Sequence, residues 1–199
     1  MGQRLVVSVN KGEKSIAKIY YHWSAYTHNA LYETRDIINC IYSHEDGTES
    51  ELLLRLIRFC ENNGGGIRAT TEEFSYVQSV YPNETFVTEN YSRNNGLIAL
   101  SEEGMAAMQL WSEGDVYIDL DVDQVDFCVY CGYEDLDDYV KERLSWDGDF
   151  NVSEVDDIPE FDFDLGRFDV NDIDAIIASL DTTDAHIIKC NDEICEIIE

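Results

Sequence analysis

Alternating apolar and polar residues predict two paired strands near the start of the chain. The strands cover residues 4–9 and 15–23, and residues 10–13, which include a glycine, form the turn between them. Successive side chains of a strand point to opposite faces. In the second strand one face carries Ala17, Ile19, Tyr21 and Trp23, and the other carries Lys18, Tyr20 and His22.

Helical periodicity follows in two segments. Residues 25–42 fit a helix with an imperfect apolar stripe, and residues 48–62 fit a helix with a broad apolar face. The glycines at 64–66 predict the end of the second helix, because glycine readily adopts the left-handed C-cap conformation. The apolar face of this second helix consists of Leu52, Leu53, Leu56, Ile57 and Cys60.

Shorter elements complete the first half of the chain. Thr70 and Glu73 have the spacing of a capping box, which predicts a short helix that ends before Pro82. A short strand over residues 97–100 and a short helix over residues 101–110 follow.

The second half opens with an acidic hairpin over residues 115–130. Apolar residues alternate there with acids and a tyrosine, which is typical of a strand with one buried face. The apolar set is Val116, Ile118, Leu120 and Val122, and the polar set is Asp115, Tyr117, Asp119, Asp121 and Asp123.

The remaining pattern alternates helices with irregular or extended segments. It predicts a helix over residues 136–146, an irregular acid-rich segment over 148–166, a helix capped by Asp169 or Asn171 that reaches about residue 180, and a closing hairpin of residues 185–190 and 193–198. The fold class is α+β, with small antiparallel sheets and several short helices.

The distribution of charge divides the chain into two halves, a division that the hydrophobic pattern does not show. The 199 residues include 42 acidic and 13 basic side chains, for a formal net charge of −29. Residues 1–100 contain 12 acids and 9 bases, whereas residues 101–199 contain 30 acids and only 4 bases. We therefore distinguish a near-neutral α+β domain, residues 1–114, from a highly acidic α+β region, residues 115–199, that packs on it.

This composition excludes several classes of function. Direct binding to nucleic acid or to anionic membranes depends on Lys and Arg meeting phosphates, and the acid excess disfavours both. No apolar stretch approaches the roughly 20 residues of a membrane span. The N-terminal residues lack the apolar segment of a signal peptide, so we expect a cytoplasmic protein.

The acidic half itself offers the strongest candidate site. Side chains two apart on a strand lie about 6.7 Å apart, which is similar to the step between phosphates of a nucleic-acid strand. A row of this kind would fit the basic cleft of a nucleic-acid-binding protein, whereas the alternative is a solvated acidic face without a partner. The candidate partner-binding residues are Asp115, Asp119, Asp121, Asp123, Glu134, Asp135, Asp137, Asp138, Asp156, Asp157, Asp162 and Asp164.

A second candidate is a small-ligand pocket at the junction between the second strand and the first helix. This junction is the densest polar and aromatic segment, and its histidines and serine are suited to acid–base work. The alternative is a packed aromatic junction in which Ser24 or Thr27 caps the helix. The candidate pocket residues are Tyr20, His22, Ser24, Tyr26 and His28.

Metal binding has partial support at best. Cys128 and Cys131 have zinc-knuckle spacing, and Cys190 and Cys195 would complete a four-thiolate set, although four residues separate that second pair. Buried structural thiols are the alternative. Asp119, Asp121 and Asp123 are spaced as in an EF-hand, but the loop has neither the sixth-position glycine nor the twelfth-position glutamate. We therefore expect no cofactor and no dedicated metal site.

Several short segments of the first half resemble a known family. They are MGQRL at residues 1–5, YYHWSAYT at 20–27, RNNGLIA at 93–99, Gly104-Met105, and WSEG at 111–114. These segments are similar to a family of phage and prophage proteins of Gram-positive bacteria, over about residues 1–125. The resemblance implies no particular activity, and the acidic remainder lies outside it.

Three interpretations follow. By analogy of context and charge, small acidic phage proteins resemble anti-restriction DNA mimics and anti-CRISPR inhibitors. The first interpretation is therefore a phage-encoded, non-enzymatic inhibitor that binds the basic cleft of a host CRISPR effector or restriction enzyme. The second is a nucleotide-binding protein or enzyme that uses residues 20–28. The third is a structural or regulatory phage protein that acts as a homo-oligomer.

Overall fold

The computed structural model describes residues 4–25, 27–43, 47–90, 96–129, 166–182, 189–191 and 194–196. The strands within these residues are β1 (Leu5–Lys11), β2 (Lys14–Tyr21), β3 (Gly66–Arg68), β4 (Thr88–Glu89), β5 (Leu97–Ala99), β6 (Gly114–Asp119), β7 (Gln124–Cys128), β8 (Gly166–Asp169), β9 (Lys189–Asn191) and β10 (Ile194–Glu196). The α-helices are α1 (Thr27–Tyr42), α2 (Glu49–Asn62), α3 (Thr71–Val80), α4 (Glu102–Gln109) and α5 (Ile173–Thr182).

Eight of the strands form one mixed sheet. Its order is β4-β3-β5-β2-β1-β6-β7-β8, and β9 and β10 form a separate antiparallel pair. The α+β class is thus confirmed, but the expectation of small antiparallel sheets is wrong for these eight strands. β1 pairs with β6 in parallel, and β3 pairs in parallel with both β4 and β5. Alternation along a sequence identifies a strand but carries no information about the direction of its partner.

The central hairpin forms as the sequence predicts. β1 and β2 are antiparallel, with Leu5 opposite Tyr21 and Val7 opposite Ile19. Gly12, in the connecting turn, has a φ of +55°, which glycine adopts at little cost. Both strands are longer at the turn than predicted, because a register shift between Val9 and Asn10 allows pairing to continue.

Helices cover both faces of the sheet. Alternate residues of β1, β2, β6 and β7 pack with apolar residues of α1, α2 and α5 in the larger core. The other face has a smaller core beneath α4, where Val6, Tyr20 and Leu97 meet Met105 and Met108. The five predicted apolar residues of α2 are all buried, as its stripe indicates.

Side-chain caps begin α2 and α3, but the predicted capping box of α3 forms only in part. Thr48 and Glu51 form a complete capping box at α2. Thr70 accepts a hydrogen bond from the Glu73 backbone at the start of α3. The Glu73 side chain does not complete a capping box there, because its carboxylate is fully buried and accepts hydrogen bonds from Leu100 and Ser101 at the start of α4.

The acidic hairpin is correct in position but shorter than predicted. β6 ends at Asp119, and residues 120–123 form the turn to β7. Asp123, the last turn residue, has a φ of 53°. The predicted boundary between residues 114 and 115 falls inside β6, so the described parts of both segments contribute strands to one sheet.

At the C-terminal end, Asp169 caps as expected. Its carboxylate accepts a hydrogen bond of 2.9 Å from the Asn171 backbone, and a 3₁₀ turn over Val170–Asp172 leads into α5. β9 and β10 form the predicted closing hairpin. The predicted helix over residues 136–146 and nearly all of the irregular segment over 148–166 lie outside the described residues.

Candidate functional site: the acidic edge of the sheet

The β6–β7–β8 end of the sheet has a strong excess of acids. Residues 114–129 and 166–178 contain eight aspartates and a single base, Arg167. We call this part of the molecule the acidic edge. Its acids are Asp115, Asp119, Asp121, Asp123, Asp126, Asp169, Asp172 and Asp174.

Strand register determines which of these acids share a face. Tyr117 of β6 lies opposite Asp126 of β7, which lies opposite Arg167 of β8. Two residues away along the strands, Gln124 of β7 lies between Asp119 of β6 and Asp169 of β8. The opposite face of the three strands is apolar and packs into the larger core, so the polar face is directed away from that core.

The single arginine of the edge is already neutralised. Arg167 Nε and a terminal nitrogen donate to the two carboxylate oxygens of Asp126 at 2.6 and 2.7 Å. The Arg167 hydrogen bond lowers the pKa of Asp126. The other seven aspartates of the edge therefore dominate its local field.

The predicted row of carboxylates is wrong in its geometry. Only Asp115 and Asp119 lie on β6, where Tyr117 separates them, so they are about 13 Å apart along the strand. Asp121 and Asp123 lie in the turn, where the phosphate-like step of a strand does not apply. The role of these four residues in partner binding stays a prediction.

Three of these four carboxylates, those of Asp115, Asp119 and Asp123, also accept hydrogen bonds within the fold. Asp119 Oδ1 accepts hydrogen bonds from the backbones of Gly12 at 3.1 Å and Asp121 at 2.9 Å, which joins the two hairpin turns. Asp123 accepts a hydrogen bond from the Tyr42 hydroxyl at the end of α1. Only Asp121 is exposed without such a described side-chain contact.

The third of them, Asp115, belongs to a polar chain beneath α4. Gln109 Nε2 donates to Asp115 Oδ1 at 2.7 Å, and Gln109 Oε1 accepts from the Lys18 ammonium. Burial lowers the pKa of Lys18, and the Asp115 charge opposes that shift. This chain connects the first residue of the acidic hairpin to β2.

The other predicted partner-binding acids lie outside the described residues. They are Glu134, Asp135, Asp137, Asp138, Asp156, Asp157, Asp162 and Asp164.

The predicted ligand segment is divided between two places. Tyr20 and His22 lie together, with the Tyr20 hydroxyl 2.6 Å from His22 Nδ1. Their rings continue into a strip, because Trp23 contacts His22 at 5.0 Å and Trp111 contacts Tyr20 at 5.5 Å between ring centroids. The Arg68 guanidinium lies 5.0 Å from the centroid of the Trp111 ring.

The remaining residues of the segment do not join this strip. Ser24 is buried and its hydroxyl donates to Glu33 of α1 at 3.4 Å. His28 lies in the first turn of α1, and Tyr26 lies outside the described residues. Trp111 and Arg68 were not among the predicted pocket residues, because nothing local in the sequence connects them with β2.

Glu33 is the clearest chemical feature that the sequence interpretation missed. Burial raises its pKa to about 7, and the nearby Asp36 charge adds to the shift. Hydrogen bonds from Ser24 and Tyr21 act in the opposite direction. In the sequence, Glu33 is one of many helical glutamates, and no spacing motif distinguishes it.

The proposed zinc set cannot be assembled from the described residues alone. Cys128 is exposed at the end of β7, and Cys131 lies outside the described residues. Cys190 and Cys195 are opposite each other in the β9–β10 ladder. Among the described residues, no three His, Cys, Asp or Glu side chains are grouped to hold a metal ion.

Comparison with known proteins adds no further assignment. No protein-family model matches the chain, and no curated protein or solved structure shows significant similarity to it. None of the helices within the described residues has the length and apolar character needed to span a bilayer.

Proposed function

We propose that the protein binds a basic, nucleic-acid-binding surface of another protein and thereby excludes nucleic acid from it. The observation that supports this proposal is the acidic edge, in which eight aspartates accompany one arginine that is already paired. In its specific form, the protein is a phage-encoded inhibitor, and its partner is a host CRISPR effector or restriction enzyme.

The electrostatics of the edge favour such a partner. Opposite fields steer two proteins together and raise the association rate, and salt screens this effect. Exposed apolar contacts usually supply the remaining affinity. Val122, at the tip of the acidic hairpin, is 57% exposed and is the natural first contact there.

The test is a competition experiment. Labelled DNA is bound to a purified nuclease with a basic cleft, and the protein is titrated in at low and at elevated salt. We expect displacement of the DNA at low salt that weakens steeply as salt rises. Unchanged DNA binding at low salt, across representative CRISPR effectors and restriction enzymes, would refute the proposal.

Charge variants localise the effect. Asp121, Asp172 and Asp174 are exposed, and we expect their simultaneous replacement by Asn to weaken displacement about tenfold. Asp119 and Asp123 are avoided in this variant because their carboxylates hold the turns. The matched control removes three charges from helices elsewhere on the molecule, with Glu72, Glu102 and Glu103 replaced by Gln. An equal loss in the control would show that only net charge matters.

A second candidate function rests on the aromatic strip. The short contact between Tyr20 and His22, beside Trp23 and Trp111, supports small-ligand binding, with nucleotides as the proposed class. Native mass spectrometry of the freshly purified protein tests this candidate, since a retained ligand that His22→Ala removes would support it. The same measurement gives the oligomeric state, and a homo-oligomer would support a structural or regulatory role.

A further inference from the structure

Glu33 lies in the second turn of α1, beside the segment that connects β2 to α1. Few positive charges lie near it to compensate its own charge. Its carboxylate receives hydrogen bonds from Tyr21 of β2 and from Ser24 of the connecting segment. Both donors are almost fully buried. Among the described residues, no lysine or arginine forms an ion pair with Glu33.

The other titratable groups that face Glu33 make ionisation harder. Asp36 lies one helical turn further along α1 and contributes a like charge. Cys60 of α2 is fully buried, and burial raises the pKa of its thiol well above the usual value. Tyr21 also has a raised pKa, again mainly through burial. The Glu33 carboxyl is therefore surrounded by neutral groups and by one anion, Asp36, which itself pairs with the Arg35 guanidinium at 3.1 Å.

We propose that Glu33 is a proton-operated switch for the docking of α1 on the sheet. With Glu33 protonated, the carboxyl is a neutral hydrogen-bonding group in a half-buried site. With Glu33 ionised, an uncompensated charge occupies that site, and states in which α1 opens towards water are favoured.

The position of α1 connects this switch to the acidic hairpin. Ala25, just before α1, packs so closely on the first residue of β6 that a Cβ on Gly114 would lie 3.1 Å from the Ala25 Cβ. At the other end of the helix, Tyr42 donates to Asp123 in the hairpin turn. The segment that leads into α1 therefore packs on the start of β6, and the last residue of α1 contacts the hairpin turn. The switch itself does not depend on the proposed function.

The expected pH dependence has a definite sign. The pKa of Glu33 is about 7 in the folded protein, against the ordinary value of 4.5 for a glutamate carboxyl. Between these values the open state releases a proton that the docked state retains, so opening becomes more favourable as pH rises. The increase is at most about tenfold per pH unit. Above about pH 7 both states are ionised and the dependence ends.

The experiment is hydrogen exchange of the α1 amides in the full-length protein, expressed as protection factors corrected for the intrinsic pH effect. We expect protection to fall from pH 5 to pH 7 and then level off, and Glu33→Gln to remove this dependence. The matched control is Glu72→Gln, an exposed acid on α3, which should behave as the unmodified protein. The same pH dependence in the Glu33→Gln protein would overturn the proposal.

A direct titration of Glu33 tests the proposal in the unmodified protein, so the result does not depend on whether a variant folds. The carboxyl carbon of Glu33 is followed by NMR in the unmodified protein, with an expected midpoint near 7. Asp36→Asn should move that midpoint downwards, because it removes the like charge. A midpoint near 4.5 in the unmodified protein would overturn the proposal without any variant.

Discussion

Replacing Glu73 should destabilise the protein more than almost any other polar substitution. Its buried carboxylate accepts hydrogen bonds at the start of α4, a different helix from its own. Glu73 belongs to α3 but is fully buried against the first turn of α4. Its Oε1 accepts the Leu100 amide at 2.7 Å, and its Oε2 accepts the Ser101 amide at 3.2 Å and the Ser101 hydroxyl. Both oxygens are therefore used as acceptors.

The cost of each substitution follows from these contacts. Glu73→Ala leaves two buried amides without their acceptor, at about 1–3 kcal/mol each, and also leaves a cavity. We expect a total loss of about 3–5 kcal/mol, which is a large share of the 5–15 kcal/mol typical of a folded domain. Glu73→Gln retains one oxygen but directs an NH₂ group at the donors of Ser101, so we expect a loss of about 2 kcal/mol.

Urea denaturation, followed by circular dichroism and tryptophan fluorescence, measures these free energies of unfolding. The neighbouring Glu72 is exposed, so Glu72→Gln is the control, and it should stay within about 0.5 kcal/mol of the unmodified protein. A double-mutant cycle of Glu73→Gln with Ser101→Ala should give a coupling energy of about 1 kcal/mol or more. A Glu73→Gln protein as stable as the Glu72→Gln control would refute the reasoning.

Three further substitutions test separate parts of the fold. Gly66→Ala should lower the free energy of unfolding by about 3 kcal/mol in a denaturant titration. A Cβ at this position would lie only 2.4 Å from the backbone carbonyl oxygen of Val87. Tyr42→Phe should cost about 0.5–1 kcal/mol by removing the hydrogen bond to Asp123, and an unchanged midpoint would show that this contact contributes nothing. Thr48→Ala should cost about 1 kcal/mol through loss of the α2 cap, whereas Thr48→Ser should restore most of it.

Much of the secondary structure was predictable because its signals are local. The α2 stripe depends on residues within a few turns of each other, and the structure confirms it. The β1–β2 hairpin follows from alternation around a glycine turn. By contrast, the sequence did not predict β3 and β4, which are only three and two residues long and lack the wholly apolar run of the equally short β5.

The candidate sites were predictable in composition but not in geometry. The charge count located the acidic edge, because charge density is a property of the sequence itself. It did not show that Arg167 is paired with Asp126 or that Asp119 holds two turns together, since these contacts join distant segments. Glu33 had no sequence signal at all, because its raised pKa depends on burial beneath other elements.

The sequence by itself determined where most of the helices and the longer strands lie, which of their faces are apolar, and where the negative charge is concentrated. Those properties depend on residues within one or two turns of each other. Only the tertiary structure decided that β6 lies parallel to β1 and that Glu73 caps α4 rather than its own helix. Both outcomes depend on which distant surfaces meet. A local pattern specifies that a face or a hydrogen-bonding group must be buried, but not which partner buries it.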